Sequence, residues 1–259
     1  MTGTSRIFWA IVAIAFVIFL TAPIVLLVVF SFTSRTLTNF PIEGLTLHWW
    51  RDMLDQRLFW PAFGNSLIIG ACVALVSALT GTLAAMGLAA LPKLRSAIIM
   101  YLLTLPVMLP PLVLGVALLS FYVSSGIPLG LGTVIFSHVL FTQPFVILIV
   151  HARMLNFDPR LVESARDLGA TPLRAFLTVT LPVISPVVIG AGLIAAALSI
   201  DDFIITFFTI GSGNTLPTMV WGMIRTGVTP TVNAIGTLIV LLTIGSTILA
   251  LRLATKSRN

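Results

Sequence analysis

The chain has 259 residues, 58% of them hydrophobic and 8% charged, with 14 Lys and Arg against 8 Asp and Glu and a net charge of +6. Soluble domains carry roughly a quarter charged residues. That balance, with a mean hydropathy of +1.12, excludes a water-soluble enzyme and a basic nucleic-acid-binding module, and implies an integral membrane protein whose Lys and Arg excess marks topology.

A helix needs roughly 20 apolar residues to cross the hydrocarbon core. Six stretches meet that need, at about 7–32, 63–90, 97–122, 133–155, 183–210 and 233–253, so the expected fold is all-α and polytopic with six transmembrane helices. The first apolar run is longer than the 7–15 residues of a signal-peptide core and is expected to be a retained span. In the loop after it, Leu47, Trp50, Met53 and Leu54 recur at helical spacing, and Thr46 or His48 can cap that helix. Trp49, Trp50 and Trp60 suit an aromatic belt. The loop helix either lies on the membrane surface or helps to seat a partner on the outer face.

The second span holds Cys72, the sole cysteine. It has no metal-ligand neighbours and reads as a small buried hydrophobe. Gly81, Ala85 and Gly87 allow close helix packing. Pro106, Pro110 and Pro111 are expected to kink the third span, which ends at the turn-rich run Ser124–Gly132. His138 and His151 in the fourth span make no metal site with Cys72 and read as packing features.

Between the fourth and fifth spans lies the main polar interruption, Asp158-Pro159-Arg160-Leu161-Val162-Glu163-Ser164-Ala165-Arg166-Asp167-Leu168-Gly169-Ala170-Thr171-Pro172. Asp158 can cap a helix that opens on Pro159. Leu161, Ala165 and Leu168 form a narrow apolar stripe, and Gly169 suits the left-handed position that ends the helix. Thr171 and Pro172 start a second short helix, and Pro182 opens the next span. The product is a helical elbow over 156–182, which either rests on lipid headgroups or docks a partner.

The fifth span carries Ser199-Ile200-Asp201-Asp202-Phe203. Asp201 falls about 27 Å along it from the elbow side. Two carboxylates at membrane depth cost a few kcal/mol each on insertion scales. They form either an acidic ring for a cationic cargo or a structural feature, with one Asp capping a broken helix or pairing with Arg225. With the N-terminus inside, Arg6, Lys93, Arg95, Arg153, Arg160, Arg166, Arg174, Arg252, Lys256 and Arg258 are cytoplasmic. Only Arg35, Arg51, Arg57 and Arg225 are then outside, as the positive-inside rule requires.

Glu163-Ser164-Ala165, three residues, Gly169, nine residues, Val179, one residue and Leu181-Pro182 resemble the signature loop of permease subunits in binding-protein-dependent ABC importers. The family pattern is Glu-Ala-Ala, Gly, Ile and Leu-Pro at the same spacing, so Ser164 and Val179 are departures from it. Asn65-Ser66-Leu67 at the start of the second span adds to the likeness. The resemblance implies the type I ABC importer permease fold, divided into a first helix with its outer loop (1–62) and a five-helix core (63–255). It implies that Glu163, Ser164, Ala165, Asp167 and Gly169 couple to a cytoplasmic ATPase. The segment Phe207–Pro217, then Trp221, Gly227-Val228-Thr229-Pro230 and Val232-Asn233-Ala234, is similar to spermidine/putrescine permeases of the PotC or PotI type. That likeness implies a polyamine cargo, with Asp201, Asp202, Phe203 and Trp221 on its pathway.

The chain has no G-x-x-x-x-G-K-[ST] phosphate loop, so ATP and Mg are expected on a partner ATPase, with no cofactor bound here. The implied partners are an ATPase dimer, a second homologous permease subunit, an extracytoplasmic substrate-binding protein and membrane lipid, without nucleic acid. No catalytic or metal constellation stands out, so the chain is expected to be a permease, not an enzyme, in a bacterial cytoplasmic (inner) membrane with both termini inside. The alternatives are a permease for another small solute, or an ion-coupled secondary transporter with Asp201 and Asp202 as proton carriers.

Overall fold

The computed structural model describes residues 3–36, 40–227 and 229–256. Val228 and Arg258, and the side chain of Lys256, lie outside the described residues. Two compact units emerge, one from the described parts of Met1–Trp60 with Met219–Val240, the other from Pro61–Thr218 with Leu241–Asn259.

In the first unit, α1 (Gly3–Phe30) is apolar on all sides, and no residue of its most hydrophobic window is buried by the protein. A helix of that kind is solvated by lipid tails. The chain then doubles back. Ser34 N donates to Gly44 O at 3.0 Å and Thr46 N to Phe32 O at 2.7 Å, and Arg35 pairs with Glu43. The turn leads into α2 (His48–Asp55), where His48 N donates to Thr46 Oγ1 at 3.0 Å. The buried face of α2 is Trp49 with Met53, one helical turn apart. The anticipated stripe was different, for Leu47 and Leu54 are exposed. Trp49 also leaves the anticipated aromatic belt: it is buried, and its Nε1 donates to Thr33 O at 2.6 Å.

The second unit contains α3 (Phe59–Ala89, begun in the first unit), α4 (Lys93–Met108), α5 (Pro111–Ser124), α6 (Leu131–Met154), α7 (Arg160–Asp167), α8 (Pro172–Ala175), α9 (Leu181–Asp201) and α10 (Ile204–Thr209). Helices α11 (Leu216–Thr226) and α12 (Pro230–Lys256) run through both units. The core joins Ile69, Val73 and Ala85 of α3 to Val146, Ile147 and Val150 of α6 and Ala191 and Ala195 of α9. Lipid tails are as apolar as these side chains, so close packing must hold the helices together. Gly81 shows how close: a Cβ added there would stand 2.7 Å from Val146 Cγ1. Ala85 is fully buried, as the small-residue reading requires. Gly87 meets no neighbour within 4 Å and is not a packing site. Cys72 is half-buried and not enclosed.

Among the described residues five helices are long and apolar enough to span, and there are six if the bent pair α4–α5 is counted as one span. That pair corrects the expected single kinked helix. Its two halves meet at 94°. Residues before a proline avoid the helical region, and Leu109 and Pro110, at ψ 138° and ψ 134°, are both extended.

The fifth span also differs from expectation. It runs from Pro172 to Asp201, 30 residues, and stops there instead of continuing to 210. The second helix of the elbow is thus the first turn of the span. A π-helical segment at Phe176–Thr180 joins the two, with Leu181 N donating to Phe176 O. Pro182 has no N–H to give to the preceding turn, and the wider π turn accommodates that gap. At the other end Asp202 is extended, at φ −71° and ψ 122°, and α10 begins two residues later.

Candidate functional site

The elbow is built by local bonds. Asp158 Oδ1 accepts from Arg160 N at 3.0 Å and starts α7. At its other end Ala170 N donates to Ala165 O at 3.0 Å and Gly169 N to Arg166 O at 2.9 Å, the paired bonds of a Schellman ending. That ending needs a left-handed residue, and Gly169 has φ +88°. Thr171 Oγ1 then accepts from Arg174 N at 3.3 Å as the next helix begins on Pro172.

These bonds leave the elbow's side chains pointing outward. Glu163, Ser164 and Asp167 are exposed and Ala165 half-buried. The apolar stripe does not pack inward as a unit: Leu161 is 47% exposed and Leu168 90% exposed. Leu173 beside them is exposed as well. Glu163, Arg166, Asp167 and Gly169 line an open notch of about 500 Å³ with Thr171 and Pro172. The result is a stiff knuckle with mixed charge and uncovered leucines.

The second candidate region is the α9–α10 break. Asp201 and Asp202 part company there. Asp201 ends α9 with an exposed side chain, whereas Asp202 turns inward, its side chain 11% exposed. Asp202 Oδ2 accepts from Thr206 N at 2.9 Å and lies 3.2 Å from His138 Nε2. Thr206 Oγ1 sits 2.9 Å from the same imidazole nitrogen. On the far side of the ring, His138 Nδ1 meets Ser199 Oγ at 2.8 Å. The partners assign the tautomer: Nε2–H donates toward Asp202 and Thr206, and Nδ1 accepts from the Ser199 hydroxyl. Asp202 therefore does cap a broken helix, while its side-chain partner on another span is His138 rather than the anticipated Arg225.

Around the break, further bonds hold the chain. Thr133 Oγ1 donates to Thr209 O at 2.7 Å. Asn65 Nδ2 donates to Asn214 O at 2.8 Å, and Leu216 N donates to Ser66 Oγ at 2.9 Å. The Asn65-Ser66 pair in α3 thus clamps the loop after α10. Phe203, half-buried at the break, lies with its ring 5.5 Å from that of Phe207. Trp221, the remaining anticipated pathway residue, belongs to the other unit on α11 and is 42% exposed.

Sequence reasoning set His138 aside, and missed Ser199 and Thr206 as its partners. A signal was present. An ionisable side chain at membrane depth needs a partner, and His138 lies inside the fourth span and Asp202 just past the end of the fifth. Among the described residues no group of three or more His, Cys, Asp or Glu is gathered that could hold a metal ion.

Residues 77–259 match the family of binding-protein-dependent transport system inner membrane components. The chain belongs to that family. It is 36% identical over 229 residues to the putrescine transport system permease protein PotI of Escherichia coli (strain K12), a match covering 85% of this chain and 81% of that protein. It is 31% identical to the spermidine/putrescine transport system permease protein PotC of the same organism, covering 87% and 86%. In structure it resembles a chain of a bacterial ABC transporter involved in the import of the acidic polysaccharide alginate. The TM-score is 0.69 at 16% identity, covering 99% of this chain and 98% of that one. The fold is thus that of ABC importer permeases, and this permease is a multi-span transport component of the inner membrane, not an enzyme. The ion-coupled alternative falls away.

Proposed function

We propose that this permease forms half of the pathway by which an ATP-driven importer passes a polyamine. The relatedness to PotI and PotC carries that cargo reading, and the exposed carboxylate of Asp201 is its chemical counterpart. A polyamine is a string of ammonium groups spaced by methylenes. Asp201 supplies negative charge at the end of α9 far from the elbow, and Phe203 supplies a face for methylene and cation–π contact; Trp221, in the other unit, is a further exposed aromatic of the same chemistry.

The elbow is the ATPase contact in this reading. Glu163, Ser164, Ala165, Asp167 and Gly169 form the docked surface, with Leu161 and Leu168 filling apolar hollows on the partner. ATP and Mg are held by that ATPase dimer. A second permease subunit completes the pathway and a substrate-binding protein delivers cargo from outside. Both termini and the elbow are cytoplasmic, and residues 1–62 act as a first span and outer loop appended to the core.

The test is uptake of labelled putrescine and spermidine by the native host with this gene deleted and then restored, in a strain free of other polyamine importers. Loss on deletion and recovery on restoration is expected. Unchanged uptake overturns the cargo assignment.

A further inference from the structure

The two carboxylates of the break differ in what holds them. On an unbroken helix, neighbouring residues point roughly 100° apart, and both would stand near the helix surface. Here the backbone turns at Asp202, and one imidazole grips both sides of the turn. His138 reaches Ser199 before the break with Nδ1 and Thr206 after it with Nε2, at 2.8 Å and 2.9 Å. The His138 side chain is 2% exposed, and Nε2 also lies 3.2 Å from Asp202 Oδ2. Asp201, one residue earlier, carries no side-chain hydrogen bond or ion pair among the described residues. A carboxylate enclosed with three donors, here Thr206 N, the Thr206 hydroxyl and His138 Nε2, is costly to withdraw. An unpartnered one at the rim of the same break is free to meet a cation.

We infer that His138 is the positioning residue that splits this acidic pair, locking Asp202 into the protein and leaving Asp201 as the carboxylate offered to cargo. The second half of this inference rests on the polyamine reading; the first does not.

The experiment is carbodiimide coupling of an amine to accessible carboxylates in the assembled transporter in membrane vesicles, read by peptide mass spectrometry. In the wild type, Asp201 is expected to be modified and Asp202 protected. His138→Leu is expected to abolish the protection of Asp202, and His138→Gln, which keeps a donor and an acceptor, to restore it. Equal modification of both carboxylates in the wild type overturns the inference even if His138→Leu fails to assemble. So does protection of Asp202 that survives in an assembled His138→Leu transporter. Fully N-methylated spermidine, whose quaternary ammonium groups cannot couple to an activated carboxylate, is expected to shield Asp201 when present during labelling. Labelling that follows the His138 pattern without shielding by this polycation removes the cargo role of Asp201 and leaves the positioning role standing.

Discussion

Glu163 and Asp202 are carboxylates of the same chain with opposite surroundings. Glu163 stands exposed on a helix whose ends are set locally, by the Asp158 side-chain cap and the backbone bonds at Gly169. Asp202 is enclosed, and the local chain path depends on its side chain and on the His138 and Thr206 groups that meet it. At the elbow, then, the fold is made by bonds that each span only a few residues, and most side chains stay exposed. At the break the side chains make the fold. Water explains the difference. An exposed carboxylate is solvated whatever its neighbours are, but inside a membrane each polar group must be satisfied by the protein.

That contrast predicts where a substitution does its damage. The largest effect is expected from Glu163→Lys, which reverses charge on the exposed elbow. Uptake should fall by roughly tenfold or more, the equivalent of about 1.4 kcal/mol or more, while membrane level and melting temperature stay as in the wild type. Normal uptake by this variant breaks the coupling half of the comparison. Next comes Thr206→Val at the break, close in shape but lacking the hydroxyl. It should cost about 1–3 kcal/mol by leaving buried groups unpaired, seen as a lower melting temperature of the purified protein. A melt equal to the wild type would show that the break is not held by side chains. Gly169→Ala should cost about 1–2 kcal/mol, the penalty of a side chain at left-handed φ, and should loosen α7, read by faster amide exchange over 160–170. Thr171→Ala removes one cap and should cost about 0.5–1 kcal/mol, confined by the same measurement to the turn after Gly169.

The elbow was largely legible from sequence because its signals are local. Asp-Pro, a glycine and Thr-Pro each act within a few residues, and each appears where it was expected. The spans were legible as apolar lengths. Their interruptions were not. The stop at Asp201 depends on His138, a residue 63 positions before it on α6 (201 − 138), and no window on the fifth span contains that information. The 94° bend between α4 and α5 was foreshadowed by three prolines, but proline content does not give an angle. The buried face of α2 was missed because Trp49 and Met53 are placed by a bond to Thr33, which only the return of the chain supplies.

The Pro172–Asp201 helix has a mechanical meaning. At 1.5 Å per residue its 30 residues measure about 45 Å, one axle with the elbow fixed to one end and Asp201 mounted at the other. No loop intervenes to absorb rotation. The π segment near the elbow carries an extra residue in its turn, so it sets the angular phase between the two ends. Deleting one residue from Phe176–Thr180 would return that turn to ordinary α geometry and keep the axle whole.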